Sequence, residues 1–539
     1  MAGSGNTAEF RKVDNFDIKR NIMFFCIIIK RKVIRLRNTP NDIICESASS
    51  DITDWNSVNW DRVEKYVDKQ QKRIYKAEVE NRHRDVRNIQ RRLTRSKAVI
   101  LLAVRRVTNI NKGRKTAGID GFRALSDKAK GKLVEELLKG DIYKHKPKPT
   151  LRKYIPKKNG KKRALGIPTI KDRIYQEITR MILEPQAEAN FEPISYGFRP
   201  KRGVFDAIGR IHNNIAKNNW CWVYEGDFRA CFDNLSHEFI LKKIKGFPLY
   251  NLVERFLKAG YVDNNVFNKT DRGTPQGGLL SPLLANIALT GLEEYLNITY
   301  REQSYTNKNG EKKITYVTTG KYRVVRYADD FVIFAKTRED IEKIPNILEP
   351  YLEERGLELA EEKTNITHTH DGFNFLGFNC RLYKTDEKYK CLIKPSKDSI
   401  KKTKEKINYI FEISKGDNVD TLIDRLNPVI NGIGYFWRIV VAKKTFNHID
   451  FHIWNKTKRF LKRLHPHKSW KWIINKYFPL YDDGKHHNKW ILTGPNDKNR
   501  LNKMAYIPIR RWNMIKYNYS PYDASKNEYF KNRMMNKYH

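Results

Sequence analysis

Lys321-Tyr-Arg-Val-Val-Arg-Tyr327-Ala328-Asp329-Asp330-Phe-Val-Ile-Phe-Ala335-Lys336 decides how this chain is read. Two adjacent acids separate two runs rich in β-branched and aromatic residues. Such runs predict strands, and the short break between them predicts a hairpin turn. A hairpin tip that offers two carboxylates, stiffened by strand pairing on both sides, is a seat for Mg²⁺. That ion takes oxygen ligands and is usually held by one or two carboxylates plus substrate phosphates. Standing alone, an Asp-Asp pair reads as a solvated acidic turn. The surrounding sequence changes that reading.

A second acid stands in a matching setting upstream, in Trp220-Cys-Trp-Val-Tyr-Glu-Gly-Asp227-Phe228-Arg229-Ala230-Cys231-Phe232-Asp233. This predicts an apolar strand ending at Asp227, followed by a helix start at Asn234-Leu-Ser236-His-Glu-Phe. If the fold sets that strand beside the hairpin, Asp227 and Asp329 can share two metals. Paired metals about 4 Å apart activate a hydroxyl and stabilise a leaving pyrophosphate in an in-line displacement. Between the acids lies Arg272-Gly273-Thr274-Pro275-Gln276-Gly277-Gly278-Leu279-Leu280-Ser281-Pro282. Its glycines allow a backbone to approach a ligand closely. Ser281 is the expected N-cap, with Pro282 at the first helical position. The loop lacks the Gly-Lys-Ser/Thr ending of a phosphate-binding Walker loop and does not match the dinucleotide fingerprint. An ordinary loop before a buried helix is the alternative.

In this order, the three segments resemble the reverse transcriptase family, and further stretches resemble its group II intron branch. Leu151-Arg-Lys-Tyr-Ile-Pro-Lys157 through Arg163-Ala-Leu-Gly166-Ile-Pro168 looks like the fingers hairpin. Asp172-Arg173-Ile-Tyr-Gln176 and Tyr196-Gly197-Phe198-Arg199-Pro200 follow as they do in that branch. Gly356 to Thr364 and Phe373-Asn-Phe-Leu376-Gly377-Phe378 look like the last two palm motifs. Outside the palm, Trp60 to Tyr75 and Leu102 to Gly121 are similar to the family's N-terminal extension. Asp424-Arg-Leu-Asn427-Pro428 through Gly434-Tyr435-Phe436 is similar to its thumb, or maturase domain.

The resemblance implies a multidomain fold with α/β and α parts. It is a right-hand polymerase with fingers and palm, a helical thumb (maturase/X) and a helical N-terminal extension. The expected divisions are an undefined segment 1–54, the extension 55–140, fingers and palm 141–385, the thumb 395–480, and a basic C-terminal segment 481–539. That last segment is expected to bind DNA or to be the remnant of an endonuclease linker, because Arg511 to Asp523 resembles the stretch that leads into an HNH endonuclease in many relatives. The chain stops at His539, so the endonuclease itself is expected to be absent. Helical spacing marks Ser57 to Tyr75 and Glu80 to Arg106. A thumb helix is expected from Ser396, with Ile400, Ile407 and Ile410 on one face.

Composition points the same way independently. The chain has 105 basic and 61 acidic residues in 539, a net charge of +44. A protein this basic is expected to bind a polyanion, nucleic acid first. Basic runs interleave with aromatics, as in Lys456-Thr-Lys458-Arg459-Phe-Leu-Lys462-Arg463-Leu-His465 and Lys468-Ser-Trp470-Lys-Trp472. Such segments neutralise phosphates and stack on bases. On a helix, Phe460, Leu461 and Leu464 would face the core while the charges face the ligand. The apolar run at residues 22–29 is far shorter than the roughly 20 residues of a membrane helix, and a buried strand is expected there. The six cysteines form no Cys-x-x-Cys pair, so a zinc site has no local support.

The expected activity is RNA-directed DNA polymerisation of the group II intron type, with intron-RNA binding, splicing assistance (maturase) and retromobility. The alternatives are a protein acting mainly as an RNA-binding splicing cofactor, or a domesticated reverse transcriptase in antiviral defence. The resemblance implies Asp227, Asp329 and Asp330 as catalytic ligands of two Mg²⁺, with Mn²⁺ as an alternative ion and the Phe228 backbone carbonyl as a further ligand. It implies Lys157, Arg163, Phe232, Gln276, Gly277 and Lys363 around the nucleotide. Phe232 is five positions after Asp227, where the family has its steric gate. Arg199, Lys458, Arg459, Lys462 and Arg463 are the expected nucleic-acid contacts. Partners would be intron or template RNA, primer or target DNA, and dNTPs, without a membrane and with no oligomeric state indicated. The expected compartment is a bacterial cytoplasm, with plastid or mitochondrion as the alternative.

Overall fold

In the computed structural model the described residues are 55–156, 160, 162–216, 219–306, 310, 312–386, 388–495 and 499–535. The apolar run at 22–29, Cys26, Cys45 and Lys157 lie outside them. Among the described residues no helix is long and apolar enough to cross a membrane.

The N-terminal extension is helical, as its spacing predicts. Helix α1 (Trp60–Val79) starts at Asn59, whose side chain accepts from the Arg62 amide, and buries Val63, Val67, Gln70, Ile74 and Ala77 on one stripe. Those positions recur at helical spacing, so the charged residues face water, apart from Glu78, which is buried. The stretch expected as one helix from Glu80 to Arg106 is two, α2 (His83–Leu93) and α3 (Lys97–Arg105). The break falls at Thr94-Arg95-Ser96, where the Thr94 hydroxyl donates to the Arg91 carbonyl at 2.7 Å. Hydroxyl side chains compete with the helical ladder in this way. Helix α4 (Asp127–Lys139) completes the layer.

The fingers hairpin pairs β1 (Thr150–Pro156) with β2 (Lys162–Ile167), Pro156 opposite Lys162. Helix α5 (Ile170–Asn190) follows, capped by Thr169, which accepts from the Asp172 amide. Buried amides tie this helix to the extension. Gln71 donates to the Met181 carbonyl at 2.7 Å and Gln90 to the Ile182 carbonyl at 3.2 Å. Arg173 adds a third tie, donating to the carbonyls of Pro168, Gly113 and Thr116.

After α6 (Val204–Ile215) comes β3 (Trp222–Asp227), then the short pair β4 (Tyr261–Asp263) and β5 (Val266–Asn268). β4 runs parallel to β1 and extends the fingers sheet to the order β2-β1-β4-β5. Helix α7 (Ser281–Ala288) and the exposed hairpin β6 (Tyr300–Thr306)/β7 (Lys312–Thr318) lead to β8 (Tyr322–Tyr327), β9 (Asp330–Ala335) and β10 (Asn365–His368). The palm sheet has the order β10-β3-β9-β8, every pair antiparallel.

Both faces of that sheet are covered, which explains why β9 is an unbroken apolar run. Tyr224, Val324, Phe331 and Ile333 enter a core shared with the N-terminal helices. Val223, Val325, Val332 and Phe334 enter a second core shared with the thumb. Successive side chains of a strand point to opposite faces, so one strand serves two cores. Strands β11 (Phe373–Phe375), β12 (Phe378–Lys384) and β13 (Tyr389–Pro395) form a small sheet whose Phe373, Phe378, Cys380 and Ile393 join the thumb core. The β12–β13 pairing runs across residue 385, the division read from sequence, so strand pairing makes this sheet a junction of palm and thumb.

The thumb is α8 (Lys397–Ile413), α9 (Val419–Trp437) and α10 (Lys443–Leu464). Ser396 caps α8 through the Ser399 amide, and Ile407 and Ile410 are buried as expected, with Ile400 half-buried beside them. The C-terminal segment folds back over thumb and palm, ending in α11 (Asn527–Met535). One Oδ of the buried Asp206 carboxylate accepts from the Trp512 indole at 3.0 Å, the Ile515 amide at 2.7 Å and Arg533 at 2.6 Å. Tyr522 donates to Glu184 at 2.6 Å, also buried. Removing either partner of such a pair leaves a buried charge or polar group unmatched. In this structure the segment is a strap held to α5 and α6.

Candidate active site and nucleic-acid interface

Long-range strand pairing brings the acids together. Asp227, the last residue of β3, is directly opposite Asp330, the first residue of β9. Asp330 also pairs with Tyr327, so Ala328 and Asp329 form a two-residue turn at the tip. Directly opposed residues have Cβ atoms about 4.5–5.5 Å apart, and like charges there destabilise the pair. A cation between them removes that penalty. Asp227 and Asp329 are half-buried and Asp330 is exposed. The thiol of Cys231 is pushed well up by burial, and then by the carboxylates of Asp329 and Asp227, which therefore both lie within range of one side chain.

Among the described residues no three His, Cys, Asp or Glu side chains converge into a ready-made metal cage. Mg²⁺ does not need one, since it keeps waters and takes substrate phosphates as ligands. An oxygen-only donor set that is partly open to solvent fits it. Phe228 follows Asp227 with its ring 2% exposed, 4.8 Å from Phe331 and 6.4 Å from Tyr351. Its backbone bridges to Leu359, so the main chain beyond Asp227 is fixed.

The carboxylate turn rests on residues that the sequence motif contains without revealing their task. Ala328 has φ +57°, a left-handed conformation that costs an alanine energy. Arg326, fully buried, donates to the Ala328 carbonyl at 3.2 Å and to Asn286 at 3.3 Å. Asn286 in turn donates to the Gly197 carbonyl at 2.8 Å. The Tyr196 amide donates to the Arg326 carbonyl at 2.9 Å, the Arg326 amide donates to the Ile194 carbonyl, and Gly197 lies against the turn. A Cβ there would sit 2.4 Å from the Ala328 nitrogen. Behind Arg326, Glu192 accepts from the amides of Gly291 and Glu293. Burial, and then the neighbouring Glu192, push the Glu293 carboxyl up to about 8. The strand carries two arginines, Arg323 and Arg326, and nothing local in the sequence separates the fully buried Arg326 from the half-buried Arg323.

Of the residues expected around the nucleotide, Arg163, Gln276 and Gly277 come together. Arg163 on β2 donates from Nε to the Gln276 side chain at 2.9 Å, and Gln276 donates to Asp233 at 3.4 Å. Gly277 has φ +114°, and a Cβ on it would lie 2.8 Å from the Gly166 carbonyl, so only glycine lets the loop pass under the fingers hairpin. Gln176 accepts from the Leu279 amide at 2.9 Å and steadies the loop's far end. Ser281 is not an N-cap. It is the first helical residue, and its hydroxyl donates to the Pro275 carbonyl, closing the loop on itself. A cleft of about 320 Å³ lies between Arg152, Gly166, Asp233, Thr274 and Gln276. Phe232 is half-buried, edge-on to Phe198 at a ring distance of 6.4 Å, and its carbonyl accepts from the Thr274 amide at 2.6 Å. Lys363 ends the turn Glu361–Lys363, and its side chain lies outside the described residues.

Two further expectations from sequence do not hold. Arg199 is not available to nucleic acid. Its side chain is fully buried, paired bidentately with Glu188 at 2.8 and 2.9 Å, and it donates to the carbonyls of Glu192 and Ser195. A guanidinium so fully engaged holds a corner of the fold. On α10, Phe460 and Leu461 are buried, but Leu464 is exposed, because the helix ends there. Lys458 is half-exposed, and Arg459, Lys462 and Arg463 are exposed on the same helix.

A fingers hairpin, a Gly-rich loop and a carboxylate hairpin on a four-stranded palm make up the fold of a right-hand polymerase. The sequence matches "Reverse transcriptase (RNA-dependent DNA polymerase)" over residues 155–380, "N-terminal domain of reverse transcriptase" over 55–137, and "Group II intron, maturase-specific domain" over 400–478. It is 38% identical over 326 residues to the group II intron-encoded protein LtrA of Lactococcus lactis, covering 50% of this chain and 53% of that protein. It is 34% identical over 307 residues to protein YkfC of Escherichia coli, covering 53% and 80%. A solved telomerase from Candida albicans, in complex with a TWJ fragment of telomeric RNA, aligns over 62% of each chain with TM-score 0.34 and 13% identity. The chain thus belongs to the group II intron reverse transcriptase/maturase family, and it spans about half the length of the Lactococcus relative.

Proposed function

We propose that this chain copies RNA into DNA and grips structured intron RNA while doing so. The observation that carries the reading is Asp227 facing Asp330 across β3 and β9, with Asp329 on the adjoining turn. Mg²⁺ ions, or Mn²⁺ in their place, held by Asp227, Asp329, Asp330 and the Phe228 carbonyl would activate the primer 3′-hydroxyl and neutralise the leaving pyrophosphate. The chain's own residues do the rest. Arg163 and Lys157 from the fingers hairpin neutralise the triphosphate. Gln276 and Gly277 shape the floor under the base pair. Lys363 assists pyrophosphate departure. Substrates are dNTPs on an RNA template with a DNA primer. The family membership supports the reading. The test is templated extension of a DNA primer on RNA, with dNTPs and a divalent ion.

Phe232 selects the sugar on this account. Its half-exposed ring stands five positions after Asp227, and its carbonyl ties it to the Gly-rich loop at Thr274. A ribose 2′-hydroxyl would collide with it. Phe232→Val is expected to raise rNTP over dNTP incorporation by about ten-fold or more, roughly 1.4 kcal/mol of lost discrimination. Single-turnover rates with matched dNTP and rNTP check this, and an unchanged ratio removes the gate role.

The maturase role is assigned to α10. Its exposed Arg459, Lys462 and Arg463, with Lys458, form a cationic end on the maturase-specific region. Each phosphate that is no longer neutralised lowers the slope of log K against log salt by roughly 0.7–0.9. Replacing all four with Gln is therefore expected to flatten the salt dependence of binding to structured intron RNA and to slow splicing. Extension of a preformed primer–template at saturation should change little. A salt titration beside a splicing assay decides it, and an unaltered slope with normal splicing makes these charges a solvated face.

A further inference from the structure

A cavity of about 550 Å³ lies between α10 and the returning C-terminal segment, well apart in sequence from the carboxylate turn. Its walls are Phe451 and Trp454 from α10, Phe478, and Trp490 and Tyr506 from the segment. Trp454 meets Phe478 at a ring distance of 5.2 Å and Trp490 at 5.3 Å, with ring planes 69° and 71° apart. Edge-to-face contact at these distances packs the three rings into one continuous aromatic wall of the cavity. Phe451 is 63% and Trp490 45% exposed, so two large aromatics are left in water at its rim. Asn502 lines the far side. Behind it, Asn427 on α9 accepts from the Asn502 amide, and Asn431 accepts from the Asn502 side chain, which fixes the segment against the thumb.

We infer that this slot takes one unpaired nucleobase of the bound RNA. The inference rests on the proposal that the thumb grips RNA and names a contact within that grip. A slot of aromatic walls with a few polar groups is how single-stranded bases are held, by stacking on their faces and hydrogen bonds to their edges. The polar groups suit a base and not a phosphate. Asp450 lines the slot, its two carboxylate oxygens accepting from the Met504 and Ala505 amides at 3.0 and 2.9 Å. Each oxygen keeps room for a further N–H, such as a base amino or imino group offers, and it would repel a phosphate. Lys503 beside it supplies a donor for a base carbonyl. The phosphates have their own track. Lys458 stands one turn after Trp454 on α10, 5.7 Å from the ring of Trp470, which itself lies 6.3 Å from Trp454. An RNA strand following the cations of α10 passes the mouth of the slot.

The probe is a short RNA hairpin whose single-stranded loop carries 2-aminopurine, compared with a fully paired RNA of the same length, each titrated into the full chain. The unsubstituted chain should quench the loop fluorophore and prefer the hairpin. Phe451→Ala and Trp490→Ala, both at exposed positions, should each weaken hairpin binding about ten-fold or more, as loss of one base–aromatic stack does. They should leave paired-RNA affinity and the salt slope unchanged, and Phe451→Trp should retain binding. Salt-dependent hairpin binding with the same affinity and quenching in both alanine variants overturns the slot and leaves the RNA grip standing. No binding of either RNA by the unsubstituted chain overturns the grip, and the slot with it.

Discussion

Asp227→Asn and Asp329→Asn should each reduce primer extension on an RNA template by roughly three orders of magnitude, while RNA affinity stays within about two-fold. A loss of that size corresponds to about 4 kcal/mol of transition-state stabilisation, as expected when a metal-bearing carboxylate becomes a neutral amide of the same shape. The prediction follows from strand register, because Asp227 and Asp330 face each other and Asp329 adjoins them. The same register fixes a second consequence. Like charges opposed on a ladder destabilise it, so without divalent ions Asp227→Asn, which removes one of the two opposed charges, should melt no lower than the unsubstituted chain. Thermal unfolding beside single-turnover extension measures both. Near-normal rates in either variant would take that residue out of the site.

Gly197→Ala should cost about a hundred-fold in kcat, with a smaller change in KM for dNTP. A Cβ at this position would sit 2.4 Å from the Ala328 nitrogen, 2.9 Å from the Tyr327 carbonyl carbon and 3.1 Å from the Ala328 Cβ. No flexible side chain is there to give way, so a backbone must move. The backbone in question carries Asp329, already holds Ala328 at φ +57°, and is tied down by Arg326. Misplacement of reacting groups by about 1 Å is enough for a loss of that size. The turn is also packed on both sides, so the melting temperature should fall by a few degrees. Steady-state kinetics and a melting curve check it. A variant with normal kcat would mean that the Gly197 contact does not control the carboxylate turn.

What the sequence discloses and what it withholds divide along physical lines. The hairpin at Tyr327–Asp330 is legible because alternation and β-branched runs are local signals, and the thumb helix from Ser396 because a cap and an isoleucine stripe are local too. The register that puts Asp227 opposite Asp330 is not, since it depends on pairing between strands whose acids, Asp227 and Asp329, stand 102 positions apart (329 − 227). Arg199 reads as a ligand contact because sequence displays a charge and hides its partner. Glu188 neutralises it from inside the fold. Arg326 stands inside the motif with its task hidden, because its acceptors, the Ala328 carbonyl and Asn286, come together only in the folded palm. The helix expected across Thr94-Arg95-Ser96 breaks where short hydroxyl side chains compete for backbone groups. The C-terminal segment resembles a linker, yet its anchor is Asp206, some three hundred positions upstream. No periodicity could announce that contact, nor the slot that the same segment closes against α10.

The most direct test of the central claim uses the unsubstituted chain. A DNA primer annealed to an RNA template is mixed with dNTPs or rNTPs, in Mg²⁺ or in excess chelator, and extension is followed in a single turnover. The account predicts template-directed extension with dNTPs in Mg²⁺, little with rNTPs, and none in chelator. A folded chain that binds the primer–template but adds no nucleotide in Mg²⁺, or that extends equally well in chelator, would contradict it.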